Sequence, residues 1–201
     1  MKQSTLFPQN ETPTLSELDL KKAETLANKI KAIMSIHCHK IEIAGSIRRQ
    51  KAKVHDIDFV VVSKSDSEWQ KIGEELKRLK AKLGCHGNAV IKAYVPCENA
   101  FFQVDFYRAQ PLTFGIHLLV RTGSADHNMW LAGQAFSKGM RLKYSQGLLK
   151  DDLPVAGADE AGVFAALGLP CPAPCNREIE DGNPKWMIQV TGGVNEGNKN
   201  S

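Results

Sequence analysis

Asp56-Ile57-Asp58-Phe59-Val60-Val61-Val62 is the stretch that decides the fold. Its tail is almost wholly apolar and β-branched, which predicts a buried strand. In a strand, residues i and i+2 share a face. Asp56 and Asp58 therefore project together, while Ile57 and Phe59 point the other way, into a core. Two acids at the head of such a strand are either solvated at its entrance or part of a metal site, and the acids alone do not choose between these. Upstream lies Gly45-Ser46-Ile47-Arg48-Arg49, a glycine-serine turn of the kind that lets backbone approach an anion. Turn and acid pair together favour the metal site, a device for holding a nucleoside triphosphate and its cations.

A third acid matches the pair. Phe101-Phe102-Gln103-Val104-Asp105-Phe106-Tyr107 predicts another strand, rich in aromatic and β-branched residues, with Asp105 as its lone carboxylate. If the two strands are neighbours in one sheet, the acids converge. Three carboxylates suit two hard cations, and a cation pair stabilises both the attacking and the leaving oxygen of a phosphoryl displacement.

These motifs resemble the catalytic core of the nucleotidyltransferase superfamily. Arg121-Thr122-Gly123-Ser124-Ala125-Asp126-His127-Asn128, an apparent helix and then Lys138-Gly139-Met140-Arg141-Leu142 are similar to the family X DNA polymerases, the polymerase beta group. Glu160-Ala161-Gly162-Val163-Phe164-Ala165-Ala166-Leu167-Gly168-Leu169-Pro170 resembles that family's last helix. The resemblance runs from about residue 15 to about residue 190 and is to the minimal palm-plus-thumb members. It implies an α+β fold: a nucleotidyltransferase palm, a mixed sheet backed by helices, with a small C-terminal α/β lobe. The implied activity is a metal-dependent, DNA-directed DNA polymerase. It would add nucleotides to a primer 3′-hydroxyl with release of pyrophosphate, as in short-gap filling during DNA repair.

The resemblance also implies roles. Asp56 and Asp58 would bind both metals, two Mg²⁺ with Mn²⁺ as the alternative. Asp105 would bind the catalytic ion and help to take the proton from the 3′-hydroxyl. Ser46 and Arg49 match positions at the β- and γ-phosphates, and Gly45 would let the backbone approach a phosphate closely. Gly123 and Asn128 match positions near the sugar and the minor-groove edge of the base; their plain alternatives are a turn and a surface helix residue. Arg141 and Lys143 are the candidates for gripping DNA, although many of the lysines and arginines here are ordinary solvated cations. Implied partners are primer-template or gapped DNA and nucleoside triphosphates, with accessory repair proteins, no membrane, and a monomeric chain.

Two departures from the family carry expectations. Many members place two aromatic residues directly before Thr-Gly-Ser, against the sugar; here Val120 and Arg121 stand there. Weaker exclusion of ribonucleotides is expected, by up to ~1–3 kcal/mol. Many members also carry an N-terminal lyase domain and helix-hairpin-helix modules, which this chain does not match. Grip on DNA then falls to the palm, the lobe and their lysines, with affinity dropping steeply as salt rises. An untemplated nucleotidyltransferase acting on RNA, protein or a small molecule would use the same acids. An idle binding module would have no chemical need for the set.

Composition sets looser bounds. With 201 residues the chain is one large domain or two small ones, and 26 Lys and Arg against 22 Asp and Glu give a net charge of +4, compatible with nucleic acid without demanding it. Five cysteines at uneven spacing, with no signal peptide, suggest free thiols in a reducing, cytoplasmic setting. No stretch approaches the ~20 apolar residues of a membrane span. Cys85 and Cys97 are candidates to face each other across a hairpin, and His37-Cys38-His39 is a minor metal candidate.

The expected organisation is a flexible segment over 1–13, a palm over 14–110, a thumb-like lobe over 111–190 and a disordered tail over 191–201. Thr14-Leu15-Ser16-Glu17 has capping-box spacing ahead of a helix whose apolar face is Leu20, Ala23, Leu26, Ala27, Ile30, Ile33 and Met34. A strand over 41–44 leads into the Gly-Ser turn. Ser65 caps a second helix carrying Trp69, Ile72, Leu76, Leu79 and Leu83 to an end at Gly84. Strands over 89–95 and 100–107 follow. Beyond Pro111 the resemblance implies a helix over 114–119, where the bare pattern is ambiguous; a helix over 124–137, a hairpin over 140–149 and a helix near 159–167 follow.

Overall fold

The computed structural model describes Leu15, residues 17–98 and residues 100–187. Expectations for the N-terminal 1–13 segment and the 191–201 tail lie outside the described residues. In chain order the first half comprises β1 (Leu18–Asp19), α1 (Leu20–Met34), β2 (Cys38–Ile43), the single turn α2 (Gly45–Arg48), β3 (Lys53–Val54), β4 (Asp56–Ser63), α3 (Asp66–Arg78), β5 (Lys82–His86), β6 (Val90–Cys97) and β7 (Ala100–Arg108).

Five of these strands form one sheet in the order β2-β4-β7-β6-β5. β4 and β7 run parallel, and the other neighbours are antiparallel, so the sheet is mixed. Along β4, Ile57, Phe59 and Val61 are fully buried on one face, against Ala23, Ala27, Ile30 and Met34 of α1 and Trp69, Ile72 and Leu76 of α3. The helices back that face, as the alternation predicted. The opposite face has a different fate at each end. Val60 and Val62 pack with Phe114 and Leu118, whereas Asp56, Asp58, Asp105 and Lys92 line the other end.

The core sets the register. Ile57 pairs with Val104 and Phe59 with Phe106 across the parallel β4–β7 junction, and the two phenyl rings stack at 4.8 Å and 17°. A slip of one residue would turn every core side chain out to solvent. The same register therefore holds Asp58 beside Asp105.

The second half comprises α4 (Phe114–Thr122), α5 (Ala125–Ser137), β8 (Met140–Lys143), β9 (Gly147–Lys150), β10 (Leu153–Ala156), α6 (Glu160–Ala166), β11 (Ile179–Glu180) and β12 (Asn183–Pro184). The sheet β10-β9-β8 covers the helices, and Ile116, Leu119, Leu131, Ala135, Leu148, Val163, Phe164 and Leu167 form this lobe's own core. The whole is an α+β fold with a helix-backed mixed sheet. Among the described residues, no helix is long and apolar enough to cross a membrane.

Several boundaries differ from expectation. The cap of α1 is Asp19, whose side chain accepts from the Lys22 amide. Leu18–Asp19 pairs with Lys53–Val54 instead of extending the helix, and Thr14 and Ser16 lie outside the described residues. Ser65 caps α3 as predicted, but the helix stops at Arg78, where Lys80 turns through φ +60°. Leu83 and Gly84 belong to β5. β10 was not anticipated. Cys85 pairs with Lys92 and Cys97 with Ala100, so the two thiols do not face each other, and both are free. His37 is buried and paired with Glu68 at 2.6 Å, which makes it part of the α3 packing.

Candidate active site

One rung of the sheet gathers the candidate residues. Asp58 on β4 lies beside Asp105 on β7, and Asp105 lies beside Lys92 on β6. Residues directly opposite one another project on the same face. The rung thus reads carboxylate, carboxylate, ammonium, with Asp56 one step before Asp58 on the same side. All three acids predicted to converge do share this face.

Burial makes the cluster electrostatically costly. Asp58 is pushed up to about 7, first by burial and then by the charges of Asp56 and Asp105, with Arg121 and Arg49 pulling the other way. Burial and the Asp105 charge likewise raise Asp56. Carboxylates packed this closely repel one another unless cations intervene.

Asp105 is the best held. It is 1% exposed. Tyr107 donates its hydroxyl to Oδ2 at 3.0 Å, Gln103 donates its amide to Oδ1 and Oδ2 at 3.3 and 3.2 Å, and Lys92 Nζ stands 3.0 Å from Oδ2. The Tyr107 hydroxyl is in turn raised by burial and by the Asp105 and Asp58 charges, and so stays a donor. Arg121 lies 3.6 Å over the Tyr107 ring, a cation–π contact that links α4 to the acids.

The Gly-Ser turn closes over the pair. The Ala44 amide donates to the Asp58 carbonyl at 2.8 Å. Gly45 sits at φ +60°, and a Cβ there would meet Asp58 Oδ2 at 2.1 Å; only glycine fits both the angle and the space. The Ser46 hydroxyl is buried without a hydrogen-bond partner. A buried orphan donor is unusual in a settled core, and this one follows directly on the glycine that packs against Asp58.

As a donor set, three oxygen-bearing acids on one face fit a hard divalent cation. Among the described residues, however, no three His, Cys, Asp or Glu side chains close into a ready-made metal cage. Asp105 gives its Oδ2 to Lys92, Tyr107 and Gln103, while its Oδ1 has only the 3.3 Å contact from Gln103.

The remaining predicted residues fall on the junction with the second lobe. Arg49 Nη1 donates to the carbonyls of Thr122 and Gly123, and its Nε to Glu178 at 3.1 Å. Arg48 makes a two-pronged pair with Glu160 at 2.8 and 2.6 Å and donates to the Thr122 hydroxyl at 2.8 Å. Arg177, 1% exposed, meets the same carboxylate at 2.5 Å. Burial pulls Glu160 upward, but Arg48 and Arg177 outweigh it and hold the acid below its ordinary value. Asn128 donates to the Val120 carbonyl at 2.7 Å and packs on Gly123, where a Cβ would meet Asn128 Oδ1 at 2.3 Å; that oxygen is buried without a partner. Ser124 caps α5 by accepting from the His127 amide. Arg141 and Lys143 share the exposed edge of β8, where Arg141 pairs with Asp152.

Lys92, Gln103, Tyr107, Glu160 and Arg177 were not singled out in the sequence. Lys92 had the nearest thing to a signal, a charge inside an otherwise apolar alternation.

Comparison with known proteins agrees with this geometry. The family model for the DNA polymerase beta thumb matches residues 117–178. The DNA polymerase/3′-5′ exonuclease PolX of Bacillus subtilis (strain 168) is 27% identical over 143 residues, which is 71% of this chain and 25% of that protein; the chain thus spans about a quarter of that relative's length. Leishmania infantum polymerase beta in a ternary P/T complex superposes with a TM-score of 0.69 at 20% identity, covering 82% of this chain and 77% of that one. Its ternary gap complex gives 0.67 at 20% identity, covering 82% and 71%. The thumb match, the curated relative and the polymerase beta fold point the same way: the chain is similar to the family X DNA polymerases.

Proposed function

We propose that the chain is a metal-dependent, DNA-directed DNA polymerase that extends a primer 3′-hydroxyl and releases pyrophosphate, filling short gaps in DNA repair. The observation that carries this is the sheet register: Asp58 and Asp105 stand side by side, Asp56 shares their face, and the Gly45-Ser46 turn leans on Asp58. Two Mg²⁺ ions, or Mn²⁺, would activate the attacking oxygen and neutralise the leaving one.

The protein's own part is holding and aiming. Asp56 and Asp58 would grip both ions, and Asp105 would bind the catalytic one and accept the 3′-hydroxyl proton. The free Ser46 hydroxyl would donate to a phosphate oxygen, and Gly45 lets the backbone come close to it. Arg49, now on carbonyls at the end of α4, would trade one of them for a β- or γ-phosphate, a stronger charge-assisted partner. Gly123 and Asn128 lie where that exchange would loosen the 122–124 turn, beside the sugar and base. Arg141 and Lys143 would meet the DNA backbone.

An untemplated nucleotidyltransferase would need the same acids. The thumb match over residues 117–178 favours a DNA-contacting lobe, as does the likeness to a polymerase beta seen in a gap complex. The test is extension of a primer across a gapped duplex with Mg²⁺. Incorporation is expected, and Asp105→Ala is expected to reduce it by about a thousandfold or more, the scale set by loss of one transition-state contact in a buried site, with circular dichroism unchanged. Turnover surviving in the folded variant would contradict the assignment.

A further inference from the structure

Among the charged side chains around the acids, Lys92 touches a carboxylate directly and the proposed chemistry leaves it without a task. Its backbone is the cross-strand partner of Asp105, and its ammonium is 3.0 Å from Asp105 Oδ2. The carboxylate is buried, while the lysine side chain keeps 44% of its exposure, so its head has somewhere else to go. Oδ2 already serves Lys92, Tyr107 and Gln103, and a divalent ion on this carboxylate would compete with the ammonium for its charge.

We propose that Lys92 is a positioning residue, an internal counter-ion that holds Asp105 turned within the sheet and is displaced toward solvent when a divalent ion takes that carboxylate. This rests on the metal-dependent function proposed above. Two binding events that exclude each other at one site are reciprocally coupled. Lys92 therefore weakens metal binding while it steadies the acid rung. Its neighbours fit the division of labour: Gln103 and Tyr107 keep Asp105 aimed after the ammonium leaves, because their donors sit two residues either side on the same strand face.

The test measures Mn²⁺ binding to the full-length, metal-stripped protein at pH 8, by the electron paramagnetic resonance of free Mn²⁺. Lys92→Met and Lys92→Gln remove the charge, Lys92→Arg keeps it, and Asp58→Asn is the control. Expected are a Kd about fivefold or more lower in the first two, a near-wild-type Kd in Lys92→Arg, and marked weakening in Asp58→Asn. Acylation of the Lys92 amine should also speed up when Mn²⁺ is added to wild type. Unchanged or weaker Mn²⁺ binding in folded Lys92→Met and Lys92→Gln, with the Asp58→Asn control behaving, overturns the role of Lys92 and leaves the metal site standing. No saturable Mn²⁺ binding to wild type, or none lost in Asp58→Asn, overturns both.

Discussion

Asp58 shows how one side chain couples stability to function. Its pKa is raised by burial and by two neighbouring acids to about 7, against an ordinary 3.8. A carboxyl raised in the folded state favours folding below its unfolded value. That contribution is lost as the pH climbs through the window from about 4 to about 7, because the unfolded chain ionises first. Asp58→Asn removes the penalty. In chelator it should stabilise the protein at pH 8 by about 1–3 kcal/mol, the scale of an uncompensated buried polar group, and change little at pH 4. Urea unfolding of both proteins at the two pH values checks this; an equal difference at both would contradict it. At the same scale, Val120 is partly buried in the second-lobe core and Arg121 is drawn onto Tyr107. Neither offers the aromatic pair that many family X members set against the sugar. Discrimination between deoxyribo- and ribonucleotides should be about tenfold at most, measured as the ratio of kcat/KM values. A preference near a thousandfold would contradict it.

At the scale of elements, the site belongs to a parallel strand pair and a latch. Alternation made β4 and β7 legible and told which side chains go inward. Their register was not legible, because it depends on Phe59 meeting Phe106 in the core, and no local signal states that pairing. Lys92 stayed hidden for the same reason: its meaning comes from the strand beside it. β10 was hidden by Pro154, which argues against a strand unless the strand is an edge, and β10 is one. The end of α3 was misplaced because Leu79 and Leu83 continue the helical spacing while Lys80 turns the backbone to positive φ. The latch of Arg48, Glu160 and Arg177 joins residues far apart in the chain, so only the fold reveals it. Glu160→Ala would leave the buried Arg177 its bonds to the Pro172 carbonyl but no carboxylate. It should cost about 3–5 kcal/mol, seen as a lowered denaturant midpoint. A loss below about 0.5 kcal/mol would show the latch to be worth no more than an exposed surface pair.

At the scale of the whole molecule, α4 joins two parts. Its Phe114 and Leu118 pack on the acid-bearing face of the sheet, while its Ile116 and Leu119 belong to the core of the lobe that matches a polymerase beta thumb. At the helix's C-terminal end, Thr122 and Gly123 receive Arg48 and Arg49. Nucleotide and DNA would enter between these parts, so the phosphate-side turn and the thumb-side turn would respond together. The family signal was legible in the sequence because it rests on residue types at fixed spacing. What the 3′-hydroxyl belongs to rests instead on what the lobe grips. The most direct test is single-nucleotide gap filling by the full chain, with each of the four template bases and each deoxynucleotide offered singly. The complementary nucleotide is expected to be incorporated opposite every template base, ahead of each mismatch by about tenfold or more, a barrier difference of ~1.4 kcal/mol. Incorporation that ignores the template base would contradict it.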